Sequence, residues 1–328
     1  MGVWRVGADT LAGSRFVVSR LGEATASLRK LADPVAAHPG ERRWLDAHLP
    51  AYRARLAADP VTALLLDAGF GAHWIADFLT PTPDGVREDD LADGLARIRA
   101  TPPDVVRAHL AVSSPGPLPR ALADADDLAE RAADVLAWVW RETVLPEWPR
   151  RRRIIEADVV ARTRELTRGG WAAAFGGMRP TMRWLGDGLL RINAHDHPPR
   201  DLAGAQLLFV PVTPKQGWVS WPEGPRVDRY ALVYPCAGTL ADAGRTTPPD
   251  GLAALVGATR AQVLVLLEQP LTTTQLVALT GQGLGSVGRH LKVLHDARLV
   301  ERRRAGRSVL YFRTPTGDAL LAAQRPGA

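Results

Sequence analysis

The residues best equipped for chemistry lie near the C-terminus. Arg302, Arg303, Arg304 and Arg307 crowd together there, and Ser286, Arg289 and Lys292 recur at intervals of three just before them. A guanidinium stays charged at any working pH and presents a fork of N–H donors, so this pattern binds rather than reacts. It suits phosphate oxygens and the O6/N7 edge of guanine. His290 can also reach phosphate, although a histidine on a helix flank more simply packs and caps. Of nucleophile–base pairs, glycine-rich phosphate loops and spaced metal sets, the sequence offers only His195-Asp196-His197. That triplet precedes Pro198-Pro199 and has no further ligand beside it, so a surface turn is the simpler reading. Gly176-Gly177 is too short to cradle a phosphate. The tetrad Arg150 to Arg153 is flanked by Glu147, Glu156 and Asp158 and reads as a solvated helix face. We therefore expect no enzyme, no catalytic residue, no cofactor and no metal.

The elements that must position the basic groups can be read locally. Thr272 can cap a helix through Leu279, and Gly281 follows where the chain must reverse at positive φ. A second helix is predicted from Gly285 to His295. Val287, Leu291 and Leu294 form its packing stripe, and Ser286, Arg289, Lys292 and Val293 fall on the other side. Two extended segments, Leu299 to Arg304 and Ser308 to Arg313, reverse at Ala305-Gly306 and place the arginines at a hairpin tip. Helix, tight turn, helix and basic hairpin is the layout of a winged helix-turn-helix, which points to duplex DNA.

Charge placement supports this independently. From Leu252 onward there are ten Arg and Lys against four Asp and Glu, a surplus of 10 − 4 = +6; the first 251 residues balance at 31 − 31 = 0. A neutral body joined to a basic module is the footprint of a protein that meets a polyanion at one end. The alternative for the hairpin alone is an edge strand protected by charge.

On these residues, 252 to 324 resemble the winged-helix domain of ArsR-type transcriptional regulators. In that family the recognition helix reads close to TVSRHLKVLRDAGLV and a GRxVxY wing follows. Ser286 to Val300 matches nearly every position of the first, and Gly306-Arg307-Ser308-Val309-Leu310-Tyr311 matches the second. The resemblance implies a first helix near Leu252 to Val256, a second near Thr259 to Leu267, a closing helix near Gly317 to Gln324, and a homodimer built by the first and last of these. It also implies a repressor bound to an operator, with the N-terminal half of the recognition helix in the major groove. Arg289 would then contact guanine, and Ser286 and Lys292 phosphate or base edges. Arg302, Arg303, Arg304 and Arg307 would follow the backbone or enter the minor groove. The sequence departs from the family at Gln282, Gly283 and Gly288. It also lacks the cysteine-rich helix of the metal sensors, since Thr273 to Leu279 holds neither Cys nor His and the single cysteine is Cys236.

With 328 residues and 46% hydrophobic content, the chain can build two domains. The paired prolines of 244–251 suggest a linker, giving an N-terminal domain over 1–245, a linker over 246–251 and the winged helix over 252–328. Helical spacing appears near Leu21 to Leu31, Arg42 to Ala58, Val61 to Phe78, Leu91 to Arg99, Pro103 to Leu110, Leu122 to Glu142 and Arg152 to Arg168. Short apolar runs at Leu189 to Asn193, Gln206 to Val210, Gly217 to Trp221 and Tyr230 to Tyr234 predict strands. The fold class expected is α+β, a mostly helical N-terminal domain with a small terminal sheet, followed by the winged helix. Through Arg15 to Leu21, the Trp-containing strand region and Tyr234-Pro235, this part resembles N-terminal domains fused to ArsR-type winged helices in actinobacterial regulators. That resemblance implies architecture and no mechanism. Trp138, Trp140, Trp148, Trp171, Trp184, Trp218 and Trp221 can line a pocket or fill a core, so a small-molecule effector in this domain is a further expectation. The opening residues carry no basic segment followed by an apolar run, and no apolar stretch of about 18 residues occurs, so we expect a cytoplasmic protein with no membrane partner. The competing expectation is an N-terminal enzyme or ligand-binding domain tethered to a nonspecific nucleic-acid-binding tail.

Overall fold

The computed structural model describes residues 2–36, 39–85, 88, 90–193, 198–222, 227–236, 248–267, 271–305 and 308–324. The chain opens with β1 (Val3–Arg5), α1 (Ala8–Ala12) and β2 (Arg15–Phe16). A helical series follows: α2 (Arg20–Ala32), α3 (Pro39–Ala58), α4 (Pro60–Gly69), α5 (Leu91–Arg99), α6 (Pro103–Ser113), α7 (Arg120–Ala123), α8 (Leu128–Val139) and the long α9 (Trp148–Phe175). Six strands come next, β3 (Arg183–Gly186), β4 (Leu189–Arg191), β5 (Arg200–Asp201), β6 (Gln206–Val212), β7 (Trp218–Ser220) and β8 (Arg229–Pro235). The C-terminal part comprises α10 (Asp250–Val256), α11 (Ala258–Leu266), β9 (Leu271–Thr272), α12 (Thr273–Thr280), α13 (Leu284–Asp296), β10 (Val300–Ala305), β11 (Ser308–Arg313) and α14 (Pro315–Ala322). The fold is α+β, as expected. No described helix is long and apolar enough to cross a membrane.

Local chemistry explains most helix boundaries. Ser19 Oγ accepts from Gly22 N at 2.9 Å and starts α2; Asp59 accepts from Thr62 N and Pro60 sits in the first turn of α4. Helix α2 is buried almost all round, so it forms the axis of the helical core with α8 and α9. The helix predicted over Val61 to Phe78 stops at Gly69. A Cβ at Gly71 would lie 2.0 Å from the Ser113 carbonyl, so the end of α6 presses against bare backbone there and the chain turns away. The segment predicted as one helix from Leu122 to Glu142 divides into α7 and α8, followed by a π turn over Trp140–Val144. Helix α9 kinks at Gly169-Gly170, where Gly170 adopts φ +64°.

Two small four-stranded sheets form in the N-terminal body, where a single terminal one was expected. One has the order β3-β4-β1-β5 and another β2-β6-β8-β7, with β2, β6 and β8 parallel. The N-terminal strands thus pair with residues nearly two hundred positions downstream, Trp4 opposite Leu190 and Phe16 opposite Phe209. At two or three residues each, β1 and β2 are too short to show a period. Strand β6 is buried on both faces. Leu208, Val210 and Val212 join the helical core, while Leu207 and Phe209 join a second core with Trp4, Phe175 and Tyr234. The tryptophans serve these cores: Trp140 and Trp148 pack at 5.0 Å in the helical one, and Trp171 stacks on Phe175 and Phe209 in the other.

Buried polar groups tie α9 to the rest. Arg151 Nη1 donates to Glu23 Oε1 and to Ser27 Oγ, each at 2.9 Å, and both charged side chains are fully buried. Glu23 also accepts from Thr213 N at 2.8 Å and from the Thr213 hydroxyl. The tetrad 150–153 is therefore not the solvated face predicted. Arg151 points into the core and Arg152 pairs with Glu88 and Glu156.

A third core, centred on Leu264, Leu276, Val287, Leu291 and Leu294, belongs to the C-terminal part. Asp250 and Gly251, predicted as linker, already form the first turn of α10; residues 237–247 lie outside those described. The C-terminal part rests on the N-terminal body through α12 against α9. Val277 packs against both the helical core and the C-terminal core.

Candidate nucleic-acid interface

The helix-turn-helix is built from local signals. Gln275 N donates to Thr272 Oγ1 and Thr272 N donates to Gln275 Oε1, a capping box that fixes the start of α12. Gly281 closes the helix at φ +69°. The turn then enters α13 at Gly283 without a side-chain cap, and a Cβ at Gly285 or Gly288 would meet open space. The predicted stripe packs as read: Val287, Leu291 and Leu294 are each 1% exposed or less.

On the opposite side of α13, Arg289 is exposed and has no carboxylate partner among the described residues. Ser286 is half-buried and less free than the sequence suggests. Its hydroxyl donates to Gln282 Oε1 at 2.9 Å and lies 3.3 Å from His290 Nε2. Gln282, a departure from the family pattern, thus braces the start of α13, and His290 is held on the helix flank. Lys292 is exposed but donates to Asp296 Oδ2 at 2.6 Å, a hydrogen bond that holds the Asp296 carboxyl below the usual carboxylate range. A solvent-exposed pair of this kind opens at little cost.

The wing forms a hairpin as predicted, but Ala305, expected in the reversal, is paired with Ser308 as the last residue of β10. Strands β10 and β11 are antiparallel, with Arg302 opposite Tyr311, Arg303 opposite Leu310 and Arg304 opposite Val309. Strand alternation divides the arginines. Arg302 and Arg304 share the face of buried Val300, and Arg303 lies on the other, 5.8 Å over the Phe312 ring. All three are exposed. Arg307 and Gly306 lie outside the described residues, as do His195, Asp196 and His197.

Among the described residues, no three His, Cys, Asp or Glu side chains converge as metal ligands. Cys236 is buried, and burial, reinforced by Asp158 and Glu23, pushes its thiol well above the ordinary range. Such a thiol is a poor nucleophile.

A model of the arsR family of bacterial regulatory proteins matches residues 258–302, from the start of α11 into the first wing strand. No curated protein and no solved structure matches the chain. The family match covers the elements that carry Ser286, Arg289, His290 and Lys292 and stops before β11 and α14. The C-terminal part of this chain therefore carries an ArsR-type helix-turn-helix, the DNA-binding element of a transcription regulator.

Proposed function

We propose that the protein is a sequence-specific repressor. The N-terminal half of α13 enters the major groove, Arg289 makes a bidentate contact to guanine, and Ser286 and Lys292 touch phosphate or base edges. The observation that carries this reading is the exposed Arg289, without a carboxylate partner among the described residues, opposite a fully packed stripe and beside three exposed wing arginines. Arg302, Arg303 and Arg304 then follow the backbone or enter the minor groove, with Arg307 continuing the series. Two copies pair through α10 and α14, where Leu255 is 68% exposed, and meet half-sites about one helical turn apart. The N-terminal body adjusts this binding through the contact of α9 with α12. That contact favours a regulatory role for the body over an independent enzyme joined by a tether.

The test is binding to the protein's own upstream region against a scrambled duplex at two salt concentrations. Preference for the upstream duplex that persists at the higher salt supports the reading. Equal binding to both, falling only with salt, would reduce the module to a nonspecific nucleic-acid anchor.

A further inference from the structure

A cleft of about 1050 Å³ lies beside the contact between α9 and the helix-turn-helix. One wall is α9 and the turn that leads to β3; the other includes Thr273 and Val277 of α12, Leu284 at the start of α13 and Val309 of the wing. Its charges do not balance. The carboxylates on its wall are engaged: Glu156 with Arg152 at 2.8 Å, Asp158 with the Tyr234 hydroxyl at 2.8 Å, and Glu165 with Arg162 at 3.1 Å. Arg168, Arg179 and Arg183 line the same cleft and pair with no carboxylate among the described residues.

Arg179 is the most exacting of the three. Its Nη1 is buried without an acceptor among the described residues. Burial, with Arg29 nearby, pulls its guanidinium down to about 10. Its Nε lies beside Gly217, and Arg179 also borders a smaller cavity lined by Arg29, Gly217 and Trp218. A buried cation is costly unless something pairs with it. Beside the arginines the wall is apolar and aromatic, with Met182, and with Phe175 and Trp184 stacked at 5.7 Å and 23°.

We propose that this cleft binds a small amphipathic oxyanion, a carboxylate or phosphate ester on a flat apolar body, and that its occupancy changes DNA binding. The oxyanion pairs with Arg179 and Arg183, and the apolar body lies against Phe175, Trp184 and Val277. Coupling follows from position. Val277 packs into both cores and Leu284 begins the recognition helix, so a ligand that favours one seating of α12 on α9 biases the placement of α13. The inference rests on the DNA-binding reading above and adds the ligand class and its site.

The test uses the full chain and four probes: 2-naphthoate, 2-naphthyl phosphate, neutral 2-naphthol and inorganic phosphate. Calorimetry should show one or both naphthyl anions binding at least tenfold tighter than naphthol or phosphate alone, and the tighter anion identifies the headgroup. The double variant Arg179→Gln/Arg183→Gln should lose at least tenfold for the anions and little for naphthol. Ala161→Trp, which fills the cleft, should weaken both naphthyl anions and naphthol. Thermal unfolding establishes that the variants are folded. Saturating anion should shift wild-type affinity for the upstream duplex at least threefold. Equal binding of anion and naphthol, no anion binding, or a folded double variant with unchanged anion affinity would overturn the proposal. So would a double variant that binds DNA more weakly without any anion, because the arginines would then serve DNA directly. Selective DNA binding that persists while the anions fail removes this inference alone. Absence of selective binding both with and without anion removes the regulator reading instead.

Discussion

Arg151 and Arg289 are the same residue type used in opposite ways. Arg151 is fully buried on α9, held by Glu23, Ser27 and Glu147, whereas Arg289 stands in solvent on α13 without a carboxylate among the described residues. The contrast extends to the regions around them. Arginines in the N-terminal body commonly have acidic partners, as Arg99 has Glu130 and Asp134 and Arg131 has Asp59 and Asp127. On β10, Arg302, Arg303 and Arg304 have none among the described residues. The zero balance of the first 251 residues and the surplus of the rest therefore reflect two uses of one side chain. Paired guanidinium groups hold elements together, and exposed ones without a carboxylate are available to a polyanion.

The largest expected effect breaks the buried side of this contrast. Arg151→Met leaves Glu23 buried without its cation and should cost about 3 to 5 kcal/mol in chemical denaturation. If the cost is under about 1 kcal/mol, Arg151 does not fasten α9 to α2. Next, Arg289→Ala should lower affinity for the upstream duplex by about 1 to 3 kcal/mol, with little change for scrambled DNA and no loss of thermal stability. Equal losses on both duplexes would make Arg289 a phosphate contact. Arg304→Ala should weaken binding to every sequence alike and reduce the slope of log K against log salt by about 1. An unchanged slope would place Arg304 away from the backbone. The smallest effect concerns α13 itself. Gly288→Ala meets no neighbour within 4 Å and should stabilise the helix by about 0.5 to 1 kcal/mol, read as slower amide exchange at Arg289 and Leu291. Faster exchange would mean that the helix is limited by its uncapped start at Gly283 and not by glycine entropy.

The DNA-binding element was legible because its determinants are local. The Thr272 cap, the reversal at Gly281, the stripe Val287, Leu291 and Leu294 and the pairing of the two wing strands each act within a few residues, and the structure reproduces them with Ala305 moved from the turn into β10. The link between Ser286, Gln282 and His290 spans one helical turn on either side of Ser286 and was equally accessible. In the sequence Gln282 stands out only as a departure from the family pattern, with no partner assigned to its side chain. The Val61 to Phe78 helix failed for a nonlocal reason: the break depends on the Ser113 carbonyl reaching Gly71 from another helix. The Arg150 to Arg153 tetrad failed similarly. Its flanking acids suggested a surface, but the partner that fully buries Arg151 is Glu23 on a distant helix.

By itself, then, the sequence determined what short-range chemistry can specify: the caps, turns and stripes of the C-terminal helices, the central strands with their continuous apolar runs, and the segregation of charge. Only the tertiary structure decided which arginines are structural, that β1 and β2 complete sheets begun far downstream, and that α12 seats on α9 with a cation-lined cleft beside it. The largest of those features, the Arg151–Glu23 pair and the strand pairings, arise from residues more than a hundred positions apart, and no local period or cap carries the sign of a partner that distant.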